Sequence, residues 1–390
     1  MRKAPGPGLL IIVLFAICYC ISFSPRDNSR FSDSTSNPVT WFSVPSVMAG
    51  GRATIPALSK PAAGPENVHD RIAVPRQKVE PAVQQETVEG TVHPGDIYFK
   101  TTKMLDKDDR ANPLRYPSSV FYDQVMHEIY VIDSGRVLIF DADYAMLLSF
   151  GKGRGVGAPQ GIYVNSEGRV YVCQAQDGDK PPRLTILNPA LFVEREISLN
   201  DINGAANFTP ERIVLGRDNT IYLVGQNTRP GVLVLDSQGN FLRWLQAGDP
   251  TPGKRVVGLR HAVFVKDIEI DNQGRIYLLS EDTSMIYVYS PEEEFLFSFG
   301  QKGGSSGKTS RPRGLSLDQK RQLIYVVDYM RHTILIYDFN GTYLTEFGGI
   351  GYSEGWFYYP NDIAVDDQGR TIIADFFNHR VQILEMKERN

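Results

Sequence analysis

The 390-residue sequence predicts an all-β fold, a six-bladed β-propeller of four-stranded blades closed by an N-terminal strand. Three observations predict it. One position recurs through the last three quarters of the chain as Tyr130, Tyr171, Tyr222, Tyr277, Tyr325 and Ile372, spaced 41–55 residues apart, each within a short strand-like run. The sequences Ser166-Glu-Gly-Arg169, Asn272-Gln-Gly-Arg275 and Asp367-Gln-Gly-Arg370 follow the first run of their units and carry the glycine that a short hairpin needs. Finally, the last unit ends soon after Leu384 without a fourth strand, whereas Ile97-Tyr-Phe-Lys-Thr101 stands alone before the first complete unit. Pairing Ile97–Thr101 with Val381–Leu384 closes the ring and removes a free sheet edge.

Taken in chain order, the first element is residues 1–23. Arg2 and Lys3 precede an apolar run from Leu9 to Ile21, extended by Ser22 and Phe23. A positive start before such a run is an export signal. Its length lies between a cleaved signal peptide and a membrane span, and Ser22-Phe23-Ser24 followed by Pro25 is a poor cleavage site. Both readings stay open, with the balance toward an uncleaved anchor, and either places the rest of the chain outside the cytoplasm, in the periplasm or on the cell surface. Residues 24–95 are rich in Pro, Ser, Ala, Val and Gln without strand or helix periodicity, which predicts a disordered linker. Residues 96–390 form the propeller.

Composition supports this division. With 42% hydrophobic and 22% charged residues the chain can bury a core, so it is neither fibrous nor disordered throughout. A net charge of −4 argues against a generic polyanion binder. The three cysteines, Cys18, Cys20 and Cys173, provide neither a disulfide framework nor a thiolate zinc site, and Cys173 reads as a buried, inert thiol.

The repeating unit runs Pro-x-x-Ile-x-Val-Asp, Gly-Arg, Ile-Tyr-Val-x-Asp, x-x-Asn-x-Arg and an aromatic strand ending Phe-Gly. It is clearest in Tyr359-Pro-Asn-Asp-Ile-Ala-Val-Asp366 with Asp375-Phe-Phe-Asn-His-Arg380, and in Pro312 to Asp328. This pattern resembles NHL repeats over about three quarters of the chain. It weakens in units two and three, where Asp123 and Asp271 have Asn165 and Gly216 as counterparts. The resemblance implies a six-bladed propeller used mostly for binding, with Asp375 and Asn378 capping a turn that Arg380 ties down. Lyases and lactonases share the architecture, so fold does not settle function. RNA binding, known for some NHL propellers, conflicts with export.

Function is expected on the face that carries the blade connections, 151–159, 198–210, 246–264, 300–313 and 348–361, and the internal loop Gln174–Arg183. Long loops on a rigid scaffold are where binding residues concentrate. Those five connections contain nine basic residues (Lys152, Arg154, Lys254, Arg255, Arg260, Lys302, Lys308, Arg311, Arg313) against Asp201, Asp249 and Glu354, on a domain with 32 basic and 38 acidic residues. This favours an anionic or acidic partner. At the channel mouth the units place Ser118, Gln160, Glu211, Lys266, Arg313 and Asn361. A hydrolase metal would want several carboxylates, Asn or His there. Only Glu211 and Asn361 qualify, with Asp267 and Asp362 next in line and Lys266 and Arg313 opposing a cation. The histidines, among them His261, His332 and His379, lack zinc spacing. Trp356-Phe-Tyr-Tyr359 is a loop of four aromatics suited either to an exposed anchor or to burial under the next blade. Asn207 and Asn340 head glycosylation sequons.

The expectation is therefore an exported, non-enzymatic scaffold without a cofactor, binding a protein or anionic ligand through Gln160, Glu211, Lys266, Lys302, Lys308, Arg311, Arg313, Trp356, Tyr359 and Asn361. The alternative is a propeller lyase or lactonase-type hydrolase with a metal at the mouth.

Overall fold

Six four-stranded antiparallel sheets follow one another along the chain, described here from a computed structural model over residues 97–200, 202, 208–226, 231–248 and 263–388. The N-terminal apolar run, the 24–95 segment, Asp201, Asn207, Asp249, Lys254, Arg255, Arg260 and His261 lie outside the described residues. Blades 1–5 comprise residues 117–150, 159–198, 209–245, 267–299 and 312–348, and blade 6 comprises 360–388 with the closing strand Ile97–Leu105. Strand burial follows position in the blade. The second strands are mostly buried, and Val170–Gln174 and Ile276–Ser280 throughout, because other blades cover both of their faces. The outer strand Met146–Phe150 is largely exposed. Apolar runs without alternation therefore fall in the middle of each blade.

The core consists of six clusters, each between neighbouring blades, among the described residues. Each holds one residue of the recurring series: Tyr130 between blades 1 and 2, then Tyr171, Tyr222, Tyr277 and Tyr325 in turn, and Ile372 between blades 6 and 1. The repeat thus records a packing requirement of the ring.

Turn chemistry repeats with it. Gly168, Gly274 and Gly369 adopt φ of +76°, +87° and +77°, the left-handed region that favours glycine. Asn165, Asp271 and Asp366 open these turns and accept from the N–H groups two and four residues on. Gly216 cannot, and in that turn Asp218 accepts from the Thr220 N–H at 3.1 Å.

The closing strand is longer than Ile97–Thr101. It runs to Leu105, with Thr101–Leu105 against Val381–Leu384 and Ile97–Lys100 against Glu385–Glu388, around a bulge at Thr102. The register differs from the expectation because the last strand itself extends to Glu388. Phe99 stacks on Phe347 of blade 5 at 3.8 Å, so the strand also packs across a blade interface. Its N-terminal end lies on the side of the tight turns. No described helix is long and apolar enough to cross a membrane.

Candidate functional site

The inner strands of five blades begin with a one-residue register shift: Pro117/Ser119, Pro159/Gly161, Pro210/Arg212, Pro312/Gly314 and Pro360/Asp362. A bulge re-aims the extra side chain. Here the extra residues are Ser118, Gln160, Glu211, Arg313 and Asn361, which the bulges bring to the mouth on the long-loop face, and Lys266 completes the ring. Neighbours in this ring engage one another. Lys266 Nζ lies 2.6 Å from Glu211 Oε2, and Gln226 donates to Glu211 Oε1. Arg313 donates to Asn361 Oδ1 at 3.1 Å, and Asn361 Nδ2 donates to the Ser118 carbonyl at 2.6 Å. Burial works against the Glu211 charge, but the Lys266 ammonium and its hydrogen bond outweigh it and hold the carboxyl below its ordinary value. Glu211 and Asn361, the two donors that a metal would want, are thus held by a lysine and an arginine, and no group of three His, Cys, Asp or Glu suited to a metal occurs among the described residues.

One residue deeper, sequence reasoning missed the group that closes the channel. Arg212 of blade 3, its side chain 14% exposed, crosses the axis. Its guanidinium pairs with Asp267 of blade 4 at 3.4 Å and Asp362 of blade 6 at 3.3 Å, and donates to Ser119 Oγ of blade 1 at 3.3 Å and the Gln160 carbonyl of blade 2 at 3.5 Å. Asp267 Oδ2 accepts from the Leu315 N–H of blade 5 at 2.7 Å, so all six blades share the network. Burial pushes Asp267 up to about 7, Arg212 opposes this and Asp362 adds to it. Burial also disfavours the Arg212 charge, yet Asp362 and Asp267 hold it firmly protonated. At the same level Gly161 and Gly314 allow close approach. A Cβ on Gly161 would overlap the Glu211 carbonyl, and one on Gly314 would meet Asp362 Cα at 3.0 Å. The only sequence signal for this plug was a charged residue facing the channel where two other blades have glycine.

Buried residues at the ends of the second strands hold down the long connections. Asp133 accepts from the N–H groups of Arg115 and Tyr116, Asp328 from Ser310 and Arg311, and Asp375 from Tyr358. Asn378 and Arg380 both reach Asp375 Oδ2, at 2.8 and 2.9 Å, and Arg380 also donates to the carbonyls of Tyr352, Ser353 and Trp356. The Asp-Asn-Arg signature is a clamp on the loop face.

The cations of that face are more engaged than their number suggests. Lys152 pairs with Asp177 at 3.5 Å, Arg311 with Glu281, and Arg154 lies over the Phe192 ring. Lys302 donates to the Asp282 carbonyl, while Arg313 stacks 3.7 Å over Tyr329. The acidic partners come from the second-to-third-strand turns, which share the face. A sixth connection, 106–116, adds three acidic and three basic residues there.

The aromatic loop divides. Phe357 is fully buried between blades 5 and 6, whereas Trp356 is 48% exposed. Tyr358 and Tyr359 join a stack running from Tyr116 through Phe377 to Tyr359 and Tyr329, with neighbouring centroids 4.8–6.4 Å apart. Tyr329 lies beneath Arg313, so the stack reaches the channel mouth. His332 is buried, which lowers its pKa, and its Nδ1 sits 2.8 Å from the Tyr359 N–H as acceptor. His379 touches the Arg115 carbonyl. Cys173 is fully buried and its thiol is pushed up by burial.

Family comparisons agree with this geometry. The NHL repeat family matches residues 357–384, and a family described as a 6-bladed beta-propeller matches 260–348. The chain is a six-bladed β-propeller that carries an NHL repeat at residues 357–384. NHL repeat-containing protein 2 of Bos taurus is 23% identical over 357 residues, 71% of this chain and 47% of that protein. The Gallus gallus protein of the same name is 26% identical over 143 residues, 33% of this chain and 19% of that protein. The chain thus spans less than half the length of these curated relatives. Among solved structures, an auxiliary nutrient binding protein from Bacteroides ovatus superposes with a TM-score of 0.56 at 16% identity, over 75% of this chain and 77% of that one. Likeness at this identity carries the fold and not the ligand.

Proposed function

We propose that this propeller is an exported binding scaffold that presents its long-loop face to a protein partner bearing acidic groups. The observation that carries this reading is the exposed aromatic patch on that face. Tyr352 is 72% exposed, and Tyr116, Ile350, Trp356 and Phe377 are exposed around it. Singly exposed apolar residues are ordinary, but a contiguous set of rigid aromatics is what interfaces use as anchors. Arg380 and Asp375 hold the loop from beneath, so the anchors need little further ordering on binding. Arg115, next to Tyr116 in the chain, borders the patch, and Lys302 and Lys308 in the 300–313 connection of the same face add to the attraction for acidic groups. Export rests on Arg2, Lys3 and the apolar run Leu9–Ile21. If that run is retained as a tether, its connection enters the propeller at Ile97, on the tight-turn side.

The test is a crosslinking pull-down from native membranes with the full chain. Tyr352→Ala with Trp356→Ala should lose the partner captured by the wild type while melting unchanged, and added salt should weaken the wild type. Glu292→Lys, in an exposed tight turn, is the control. Glu293 is unsuitable because it pairs with Arg243 and Tyr222, and Glu167 because it contacts Arg169. Loss of the partner by Glu292→Lys, and not by the aromatic pair, would assign the wrong face.

A further inference from the structure

A second opening lies on the other face. A cavity of about 550 Å³ enters between the tight turns and reaches the inner strands. Its rim is polar and includes Asn165, Arg217 and Asn272. Strand side chains alternate, so the residues two past the Arg212 plug face the channel again. These are Phe121, Tyr163, Val214, Glu269, Ser316 and Ala364, and they line the inner part of the funnel.

Glu269 is the unusual member. It is ringed by protein, yet solvent touches it from the funnel. Among the described residues no cation pairs with it and no side chain donates to it; the guanidinium of Arg212, whose charge favours the ionised form of Glu269, is already bridged to Asp267 and Asp362. Burial pushes its pKa well up, and the charges of Asp267 and Asp362 add to this. Beside it the Phe121 and Tyr163 rings meet at 5.3 Å and 53°. Tyr163 and Glu269 line the same cavity, and the Tyr163 phenol is pushed up to about 12, first by burial and then by the Glu269 charge.

We propose that this funnel binds a small organic cation, with its ammonium group against Glu269 and an apolar or aromatic body against Phe121, Tyr163, Val214 and Ala364. The chemistry selects among ligand classes. The floor and plug carry three carboxylates to one guanidinium, which repels an anion. A hard metal ion wants several free oxygens, and Asp267 and Asp362 are engaged by Arg212 and by backbone N–H groups. One carboxylate flanked by aromatic faces is instead the setting in which an ammonium group gains from both charge and cation–π attraction. The volume lies within the range of small-molecule sites. This inference concerns the face opposite the proposed interface and stands or falls without it.

The test is calorimetric titration of the full chain with phenethylammonium, 3-phenylpropionate and the neutral 3-phenylpropan-1-ol. Phenethylammonium should bind best, and Glu269→Gln should weaken it tenfold or more while leaving the neutral alcohol within about twofold. Phe121→Leu keeps the apolar volume and should weaken the cation more than the alcohol. Binding should also release a proton, because the cation favours ionised Glu269. The groups facing it are Asp267 of blade 4, Asp362 of blade 6, Arg212 of blade 3 and Tyr163 of blade 2, with Asp271 and Asp123 nearer the rim. Asp267 also titrates near neutrality, so the proton must vanish in Glu269→Gln if Glu269 is its source. Failure of the cation to bind at millimolar concentration, equal binding to Glu269→Gln, or equal binding of the propionate would overturn the proposal.

Discussion

Replacing Arg212 by leucine removes the axial plug and leaves Asp267 and Asp362 buried without their counter-ion. The loss comprises two ion pairs at 3.4 and 3.3 Å and hydrogen bonds to Ser119 and the Gln160 carbonyl. Removing one partner of a buried pair costs about 3–5 kcal/mol, because the remaining charge stays desolvated. For a domain of this size that is roughly 10 °C in melting temperature. The cost should depend on pH with a definite sign. Asp267 is raised to about 7 in the folded protein, above its value of about 3.9 in an unfolded chain. Its contribution to stability is therefore fully present below about 4 and is lost as pH rises through about 7. Without Arg212 the carboxyl rises further, so the deficit of Arg212→Leu should be larger at pH 8 than at pH 5. Urea unfolding of wild type and variant at both values measures it. Arg212→Met combined with Asp267→Asn and Asp362→Asn should recover most of the loss, since the asparagines remain polar partners for the backbone without bearing charge. A deficit below about 1 kcal/mol at pH 8, or one that does not change with pH, would refute the view of Arg212 as a charge-compensating plug.

Three further outcomes follow from the same geometry. Removing residues 1–105 should aggregate the protein, because eight residue pairs to the last strand are lost and its edge is freed, whereas removing 1–95 should leave a folded monomer by light scattering. Gly161→Ala should cost more than 3 kcal/mol, roughly, in urea unfolding, because its Cβ would overlap a backbone carbonyl that cannot rotate away. Asp375→Ala should speed amide exchange across 349–359 by tenfold or more while exchange in blades 2–4 stays unchanged, since Asp375 anchors Tyr358, Asn378, Arg380 and Gln382 together.

Much of the architecture was legible because its causes are local. Gly168, Gly274 and Gly369 mark hairpins whose φ requirement lies in the turn itself, and the recurring tyrosine marks a packing position that every blade interface needs. Even the closure, though it joins the two ends of the domain, was visible as one strand missing and one strand spare. The candidate site was legible only in part. The positions of the mouth residues could be counted from the repeat, and the bulges that aim them follow prolines in the sequence. Their partners could not. A count of loop cations left out Glu281 and Asp177, which come from other turns and engage Arg311 and Lys152.

The sequence by itself thus determined the six-fold repeat, the strand order within a blade and the identity of the closing strand, all of which depend on period and hydrogen bonding between chain neighbours. Only the tertiary structure decided which charges compensate one another, which of the four loop aromatics reaches solvent, and that the channel is plugged above a funnel floored by Glu269. The reason is physical. Electrostatic and packing energies depend on distance in space, and closing the ring brings the inner strands of blades 1, 3, 4 and 6 together around one axis. Residues far apart along the chain become Arg212's partners there, and Glu269 is left facing the cavity without a side-chain partner among the described residues.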